Sequence, residues 1–276
     1  MVNNILIIGI TGNGKSALAN LLANTDKFGE SSFSVSETKN FEKSDIFEWQ
    51  GKQYQVIDNI GFGDSTHISK EDILLKIGEG IHSAEEGINQ VLFVFGGRFA
   101  PEQVEAFNTF KKFVSESRVT EFTTLVRTKF SKFRDEKACE KDKVSLLSEE
   151  NKDLREIIKS CNGFIHIDNQ KVPEVNEDDS DNEMEIEKAT EKRGKSREKV
   201  LNYLVENCQK NYKLKGWDSI YSLVANYIDK KKEIEQDDSL KKEKELEKIK
   251  EEVTKQIKIS LLDKGKLTAV IEQNEQ

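Results

Sequence analysis

At 276 residues the chain is longer than one average domain, and its 36% hydrophobic and 34% charged residues fall below and above globular norms. That imbalance reads as an ordinary core joined to very charged segments, and the net charge of −8 argues against nucleic-acid or anionic-membrane binding through the whole surface. No apolar run approaches the roughly 20 residues of a membrane helix, no secretion signal opens the chain, and three scattered cysteines (Cys139, Cys161, Cys208) with three histidines (His67, His82, His166) form neither a disulfide framework nor a common zinc motif.

Up to about residue 170, strand-like and helix-like segments alternate. Asn4–Ile8 is a short apolar run ending at Gly9, as a buried parallel strand ends. A helix follows with Leu18, Leu21 and Leu22 on one face. Tyr54–Asp58, Val91–Phe95, Phe122–Val126 and Phe164–Ile167 read as further strands. Ser69 with Asp72 forms a cap for a helix whose apolar face is Leu74, Ile77 and Ile81. Pro101 suits the first position of another helix, where Phe107, Phe110 and Phe113 are core residues. This rhythm predicts an α/β fold of three layers, a mostly parallel central sheet covered by helices on both faces.

The composition then changes. Residues 174–191 hold nine acids and a single base and are expected to be a disordered insertion. Order should resume near Ser196, with Val200, Leu201, Leu204 and Val205 giving one helical stripe. Trp217, Ile220, Tyr221, Val224 and Ile228 give a second, Trp217 anchoring the helix. Between residues 229 and 255 stand ten acids and nine bases, with a narrow stripe of Leu246, Ile249, Val253 and Ile257. A solvated helix that docks weakly or pairs in a coiled coil competes here with a frayed tail. The expected organisation is a nucleotide-binding domain over 1–212 and a charged helical extension over 213–276.

The chemistry is concentrated near the N-terminus. Gly9-Ile10-Thr11-Gly12-Asn13-Gly14-Lys15-Ser16 fits G-x-x-x-x-G-K-[ST], and it leaves a strand and enters a helix as a phosphate-binding loop must. The backbone of Gly9, Thr11, Gly12, Asn13, Gly14 and Ala17 would wrap the phosphates at a helix N-terminus. Lys15 would bridge β- and γ-phosphate oxygens, and Ser16 would donate its hydroxyl oxygen to Mg2+. Asp58-Asn59-Ile60-Gly61 ends a strand and matches D-x-x-G. There Asp58 would hold Mg2+ through water and the Gly61 N–H would meet the γ-phosphate. Within Phe33–Asn40, Ser36 and Thr38 both offer a hydroxyl to the metal; spacing alone favours Thr38.

With these residues in place, the chain resembles the G domain of the immunity-associated GTPases (the GIMAP or AIG-type family), a branch near septins and chloroplast import GTPases. The Ile5–Leu22 region, Asp58–Asp64 and Phe95-Gly96-Gly97-Arg98-Phe99 followed by Pro101-Glu102-Gln103 carry the resemblance. It spans roughly residues 1–210. The resemblance implies GTP and GDP as bound nucleotides, with Thr128-Lys129-Phe130-Ser131 at the guanine-specificity motif. Lys129 would cover the base with its aliphatic stem. Ser131 replaces the carboxylate that selects guanine, and Asp135 is a displaced substitute. His166-Ile167-Asp168-Asn169 resembles the closing strand and makes Asn169 a base contact, with His166 packed under a helix.

The resemblance also implies dimerisation across the nucleotide face, with Arg98 as an arginine finger acting in trans. Phe62 stands where Ras-like enzymes place the water-orienting Gln. Slow hydrolysis by the isolated monomer follows. The reading is a GTP-dependent switch that self-associates or recruits a protein effector. It is expected to be cytoplasmic, to touch organelle membranes only through a partner and to bind no nucleic acid. The alternatives are a nucleotide-holding scaffold without turnover and a P-loop ATPase or kinase of relaxed base specificity.

Overall fold

The first apolar run forms strand β1 (Val2–Gly9), and the rest of the sheet is assembled around it. The computed structural model describes residues 1–29, 41–59, 61–62, 69–84, 87–114, 117–173, 180–208, 219–235 and 240–274. After β1 come α1 (Lys15–Ala23), β2 (Glu42–Lys43), β3 (Phe47–Trp49), β4 (Lys52–Asp58) and α2 (Lys70–His82). Then follow β5 (Gln90–Gly96), α3 (Pro101–Val114), β6 (Thr123–Thr128), α4 (Glu136–Leu147), α5 (Lys152–Ser160) and β7 (Gly163–His166). Three long helices close the chain: α6 (Ser180–Asn207), α7 (Ser219–Glu235) and α8 (Leu240–Asn274).

The strands lie in the order β2-β4-β1-β5-β6-β7, with β3 beside β4. From β4 to β7 every pairing is parallel, while β2 and β3 meet β4 antiparallel. Parallel strands need crossovers, and these place helices on both faces. Successive residues of β1 therefore enter different cores. Ile5 and Ile7 pack with Leu18 and Leu22 of α1 and Val200, Leu201 and Leu204 of α6. Leu6 and Ile8 pack with Leu74 and Ile77 of α2 and Phe107 and Phe110 of α3. This is the three-layer α/β fold the sequence predicts, with all five expected strands present. Ser69 caps α2 as its spacing suggests, its Oγ accepting from Asp72 N at 3.1 Å.

One expectation meets a different outcome, and a second is decided between its alternatives. Within the acidic stretch, residues 174–179 lie outside the described residues, but from Ser180 onward the chain is helical, well before Ser196. Acidic composition denies these turns a buried face, yet a helix tethered along one side needs none. Glu191 bonds Arg134 at 2.9 Å, Lys192 faces Asp168 at 3.4 Å, and Arg193 donates to the Gln170 carbonyl at 3.3 Å. The second concerns the extension. Val224, Tyr227 and Ile228 of α7 and Val253 and Ile257 of α8 are buried in the same core as α2 and α3. Leu246 and Ile249 are packed half-buried against it. The stripe is thus docked over this stretch rather than frayed, and the extension shares the domain's core. Trp217 lies outside the described residues. Among the described residues, no helix is long and apolar enough to cross a membrane.

Docking and fraying differ in a measurable way. Ile257 is fully buried and Ile259, two residues on, is 41% exposed. Ile257→Ala should destabilise the protein by about 2–5 kcal/mol in chemical denaturation, whereas Ile259→Ala should change it by about 0.5 kcal/mol or less. Equal, small effects at both positions would mean that α8 does not contribute to the core.

Candidate nucleotide site

The site is built at the carboxyl ends of β1, β4, β5, β6 and β7, where the loops leaving the parallel strands converge. The loop after β1 enters α1 through Gly14, whose φ of +85° lies in the left-handed region that favours glycine. This turn frees the first N–H groups of α1 to face an anion. Lys15 is 6% exposed and folds back along the loop, its Nζ 3.4 Å from the Ile10 carbonyl. Thr11 Oγ1 and Asn13 Nδ2 are buried polar atoms of the same loop without a hydrogen-bond partner. Polar atoms so placed suit a ligand rich in acceptors and donors.

Asp58 is the end of β4, and the register that pairs it with Ile7 of β1 brings it to the start of α1. Ser16 Oγ donates to Asp58 Oδ2 at 2.6 Å, and Asn59 N donates to Oδ1 at 3.0 Å. Complete burial pushes the Asp58 carboxyl up to about 6, against the opposing pull of Lys15 and these hydrogen bonds; Glu42, its partner on β2, adds to the rise. A buried carboxylate at the limit of its ionisation, touching a hydroxyl and near a lysine, fits a hard divalent cation. Among the described residues no three His, Cys, Asp or Glu side chains gather to hold a metal. Ser16 and Asp58 would therefore share the ion with phosphate oxygens, as Mg2+ is usually held. Ser36 and Thr38, the candidates for a further hydroxyl, lie outside the described residues.

Gly61 sits so close to this loop that a Cβ on it would collide with Thr11 Oγ1 and Lys15 Nζ. Phe62 follows, buried in the core and clamped to the loop: Thr11 N donates to its carbonyl and its own N–H donates to Gly9 O, both at 3.0 Å. On the opposite rim, Thr128 Oγ1 donates to Asn13 O at 2.8 Å. Lys129, with φ +56°, reaches Gly12 O at 3.3 Å, and Asn169 Nδ2 donates to Gly14 O at 3.0 Å. Arg98 is exposed two residues beyond Gly96, which itself faces Asn13 and Thr128.

The structure thus gathers Gly9, Thr11, Gly12, Asn13, Gly14, Lys15, Ser16, Ala17, Asp58, Gly61, Lys129 and Asn169 on and around the loop after β1 and the start of α1, with Arg98 exposed two residues beyond Gly96. Ser131 is exposed, and Asp135 is committed to capping α4, accepting from Ala138 N at 3.1 Å. One acid escapes a motif search. Asp168 is fully buried between Ile167, whose carbonyl accepts from Phe130 N, and Asn169. Its backbone N–H and carbonyl are both bonded to Ser196 Oγ, and its carboxylate faces Lys192 at 3.4 Å. The Asp-Asn pair at a strand end is the only sequence signal it leaves. His166 is packed under α4 as expected, 2.9 Å from Asp142.

Comparison with known proteins agrees with this architecture. A region of 34% identity over 110 residues is shared with immune-associated nucleotide-binding protein 10 of Arabidopsis thaliana, covering 39% of this chain and 24% of that protein. Immune-associated nucleotide-binding protein 9 of the same plant is 27% identical over 124 residues, covering 45% of this chain and 36% of that protein. The chain's match therefore spans well under half the length of these relatives. A structure of the chloroplast translocon GTPase components atToc33 and psToc159 superposes with a TM-score of 0.50 at 16% identity, over 77% of this chain and 85% of that one, and shares the fold. The model of the AIG1 family matches residues 3–215, the full extent of the sheet and its site, and the chain belongs to that family.

Proposed function

We propose that the protein is a GTP-binding switch that holds Mg2+ with its nucleotide, hydrolyses GTP slowly as a monomer and works faster as a homodimer. The observation that carries this reading is the Ser16–Asp58 contact at 2.6 Å, with Lys15 and Gly61 closing over it. In this reading the α1 N-terminus and Lys15 bind the phosphates, and Ser16 and Asp58 position the cation. Bound Mg2+ supplies neutralisation of the charge that develops on the transferring phosphoryl group. Lys129 and Asn169 flank the base. Asp168, rather than the exposed Ser131, supplies the carboxylate that selects guanine.

Phe62 carries no polar group that could orient a water molecule, and its side chain is buried in the core. In this reading the missing group comes from a second copy, and the exposed Arg98 is the candidate arginine finger. For the translocon components that share the fold, dimerisation is described as important for GTPase activity, which supports the same arrangement here. The buried Phe62 also favours a second reading, a scaffold that binds GTP without turnover.

Nucleotide competition followed by phosphate release separates these readings. GTP and GDP should displace a fluorescent guanine nucleotide at concentrations at least tenfold below ATP, and Asp168→Asn should shift the preference toward XTP. ATP preference would overturn the guanine assignment. Phosphate release per molecule should rise with protein concentration and fall at least tenfold, and become concentration-independent, in Arg98→Ala. Binding without release would establish the scaffold.

Asp58 gives a further test. Its folded pKa lies above the ordinary carboxylate value, so the protein without metal is most stable where Asp58 is protonated and loses that contribution as pH rises through about 6. Asp58→Asn should therefore raise the stability of the metal-free, nucleotide-free protein at pH 7.5 by on the order of 1–3 kcal/mol. The gain should shrink below pH 5, while Mg2+ no longer tightens nucleotide binding in the variant. A destabilised Asp58→Asn at pH 7.5 would show that the carboxylate is structural.

A further inference from the structure

Beneath the base-side loop lies a charged cluster that the reading above does not use. Asp142 of α4 accepts from Arg127 Nη1 of β6 at 2.8 Å through Oδ1, and its Oδ2 is 2.9 Å from Nε2 of His166 on β7. Asp142 and Arg127 are 16% and 17% exposed, His166 only 4%. The Arg127 guanidinium carbon stands 5.0 Å over the Phe130 ring, and His166 lies 4.7 Å from the same ring. Phe130 is the third residue of Thr128–Ser131, so one carboxylate holds two side chains against the centre of the loop that faces the base.

That loop needs such a support. Lys129 adopts φ +56°, a left-handed conformation that strains a non-glycine residue and persists only where its surroundings impose it. The loop is held by Thr128 Oγ1 to Asn13 O at 2.8 Å, Phe130 N to Ile167 O and Phe133 N to Phe130 O at 3.0 Å, Lys129 Nζ to Gly12 O at 3.3 Å, and the clamp on the Phe130 ring. Apolar packing on α4 is slight: Leu146 is its one buried residue, with Leu147 half-buried against the same core. Asp142 is the polar tether that joins this lightly packed helix to β6 and β7. Burial keeps the His166 imidazole below its usual pKa, and a neutral ring can donate Nε2–H to Asp142.

We propose that the Arg127–Asp142–His166 bridge is the positioning element of the base loop and sets how long a bound guanine nucleotide stays. The inference rests on the nucleotide reading given above. Phosphate capture belongs to the loop after β1, which the cluster does not touch, so loss of the bridge should alter dissociation and leave association intact. Asp142→Leu keeps the branching at the γ position, is bulkier, and removes both acceptors. Asp142→Asn keeps the volume and both bonds, with Oδ1 accepting from Arg127 and Nδ2 donating to the other tautomer of His166.

The experiment is stopped-flow release of the fluorescent nucleotide mant-GDP from the full chain, chased with excess GDP, beside its association rate. Asp142→Leu should release mant-GDP about tenfold faster than the parent with association changed by less than twofold, and Asp142→Asn should return release to within about threefold of the parent. Release from Asp142→Leu within twofold of the parent would overturn the proposal. So would equal acceleration in both variants, which would assign the effect to charge and not to the bridge. If Asp142→Leu does not fold, Arg127→Gln takes its place, removing the stack on Phe130 while leaving the Asp142–His166 bond, with the same two outcomes. Failure of the parent chain to bind mant-GDP would sink the nucleotide reading itself, whereas binding with unmoved release rates sinks this inference alone.

Discussion

The register of β4 against β1 is the constraint on which the site depends. Asp58 stands beside Ile7, at the level where β1 is about to turn into the phosphate-binding loop. A strand has a side-chain period of two, so a slip of one residue would send the Asp58 carboxylate to the opposite face of the sheet, away from Ser16. What forbids the slip is burial on both sides. Ile57 belongs to the core under α2 and α3, and Val56 to the core under α1 and α6. The chemistry of the site is thus fixed by aliphatic residues that take no part in it. The carboxylate delivered there is unfavourable in isolation, and Lys15, Ser16 and the Asn59 N–H offset only part of its desolvation.

The charge excess of the chain has a structural place in this plan. The helices α7 and α8 are polar over most of their circumference, but the residues that touch the domain are apolar, and Val253 and Ile257 end in the same core as Leu74 and Phe110. Around that seam the charges are paired. Lys250 faces Asp72 at 3.4 Å, and the nearly buried Glu79 of α2 lies 3.1 Å from Lys76 and 3.9 Å from Lys231. An ion pair on so buried a carboxylate does more to avoid an uncompensated charge than to add stability. Helix α2, which follows β4, is therefore covered by α7 and α8 through an apolar seam edged with ion pairs, and an average composition over the chain obscures a normal interior.

How much of this was legible in the sequence follows from how local each signal is. The G-x-x-x-x-G-K-[ST] loop, the D-x-x-G and the five parallel strands are written in consecutive residues, and all five strands are present in the sheet. The short strands β2 and β3 escaped because two or three residues carry no periodicity. Helix α4 escaped because it buries a single side chain, which leaves no stripe to detect. Asp168 and Asp142 were invisible as site residues for a different reason. Asp142 matters because it meets Arg127 and His166, residues brought to it from two other strands, and no spacing along the chain encodes that meeting. The acidity of the early turns of α6 signals disorder in the sequence, yet the helix they belong to is held further along by the contacts of Glu191, Lys192 and Arg193 with Arg134, Asp168 and Gln170.

Phe62 shows where the fold and the chemistry part company. The two backbone bonds between Phe62 and the loop after β1, with the bridge between Ile10 and Phe62, continue the parallel pairing beyond the ends of the strands. They fix Gly61 against Lys15 more firmly than a free loop would. The cost falls on the side chain of Phe62, which is drawn into the core with Ile73 and Phe99. The same backbone pairing that seats Gly61 against Thr11 and Lys15 thus sends the next side chain into the interior, so the geometry of this loop is set at the expense of a polar group at position 62.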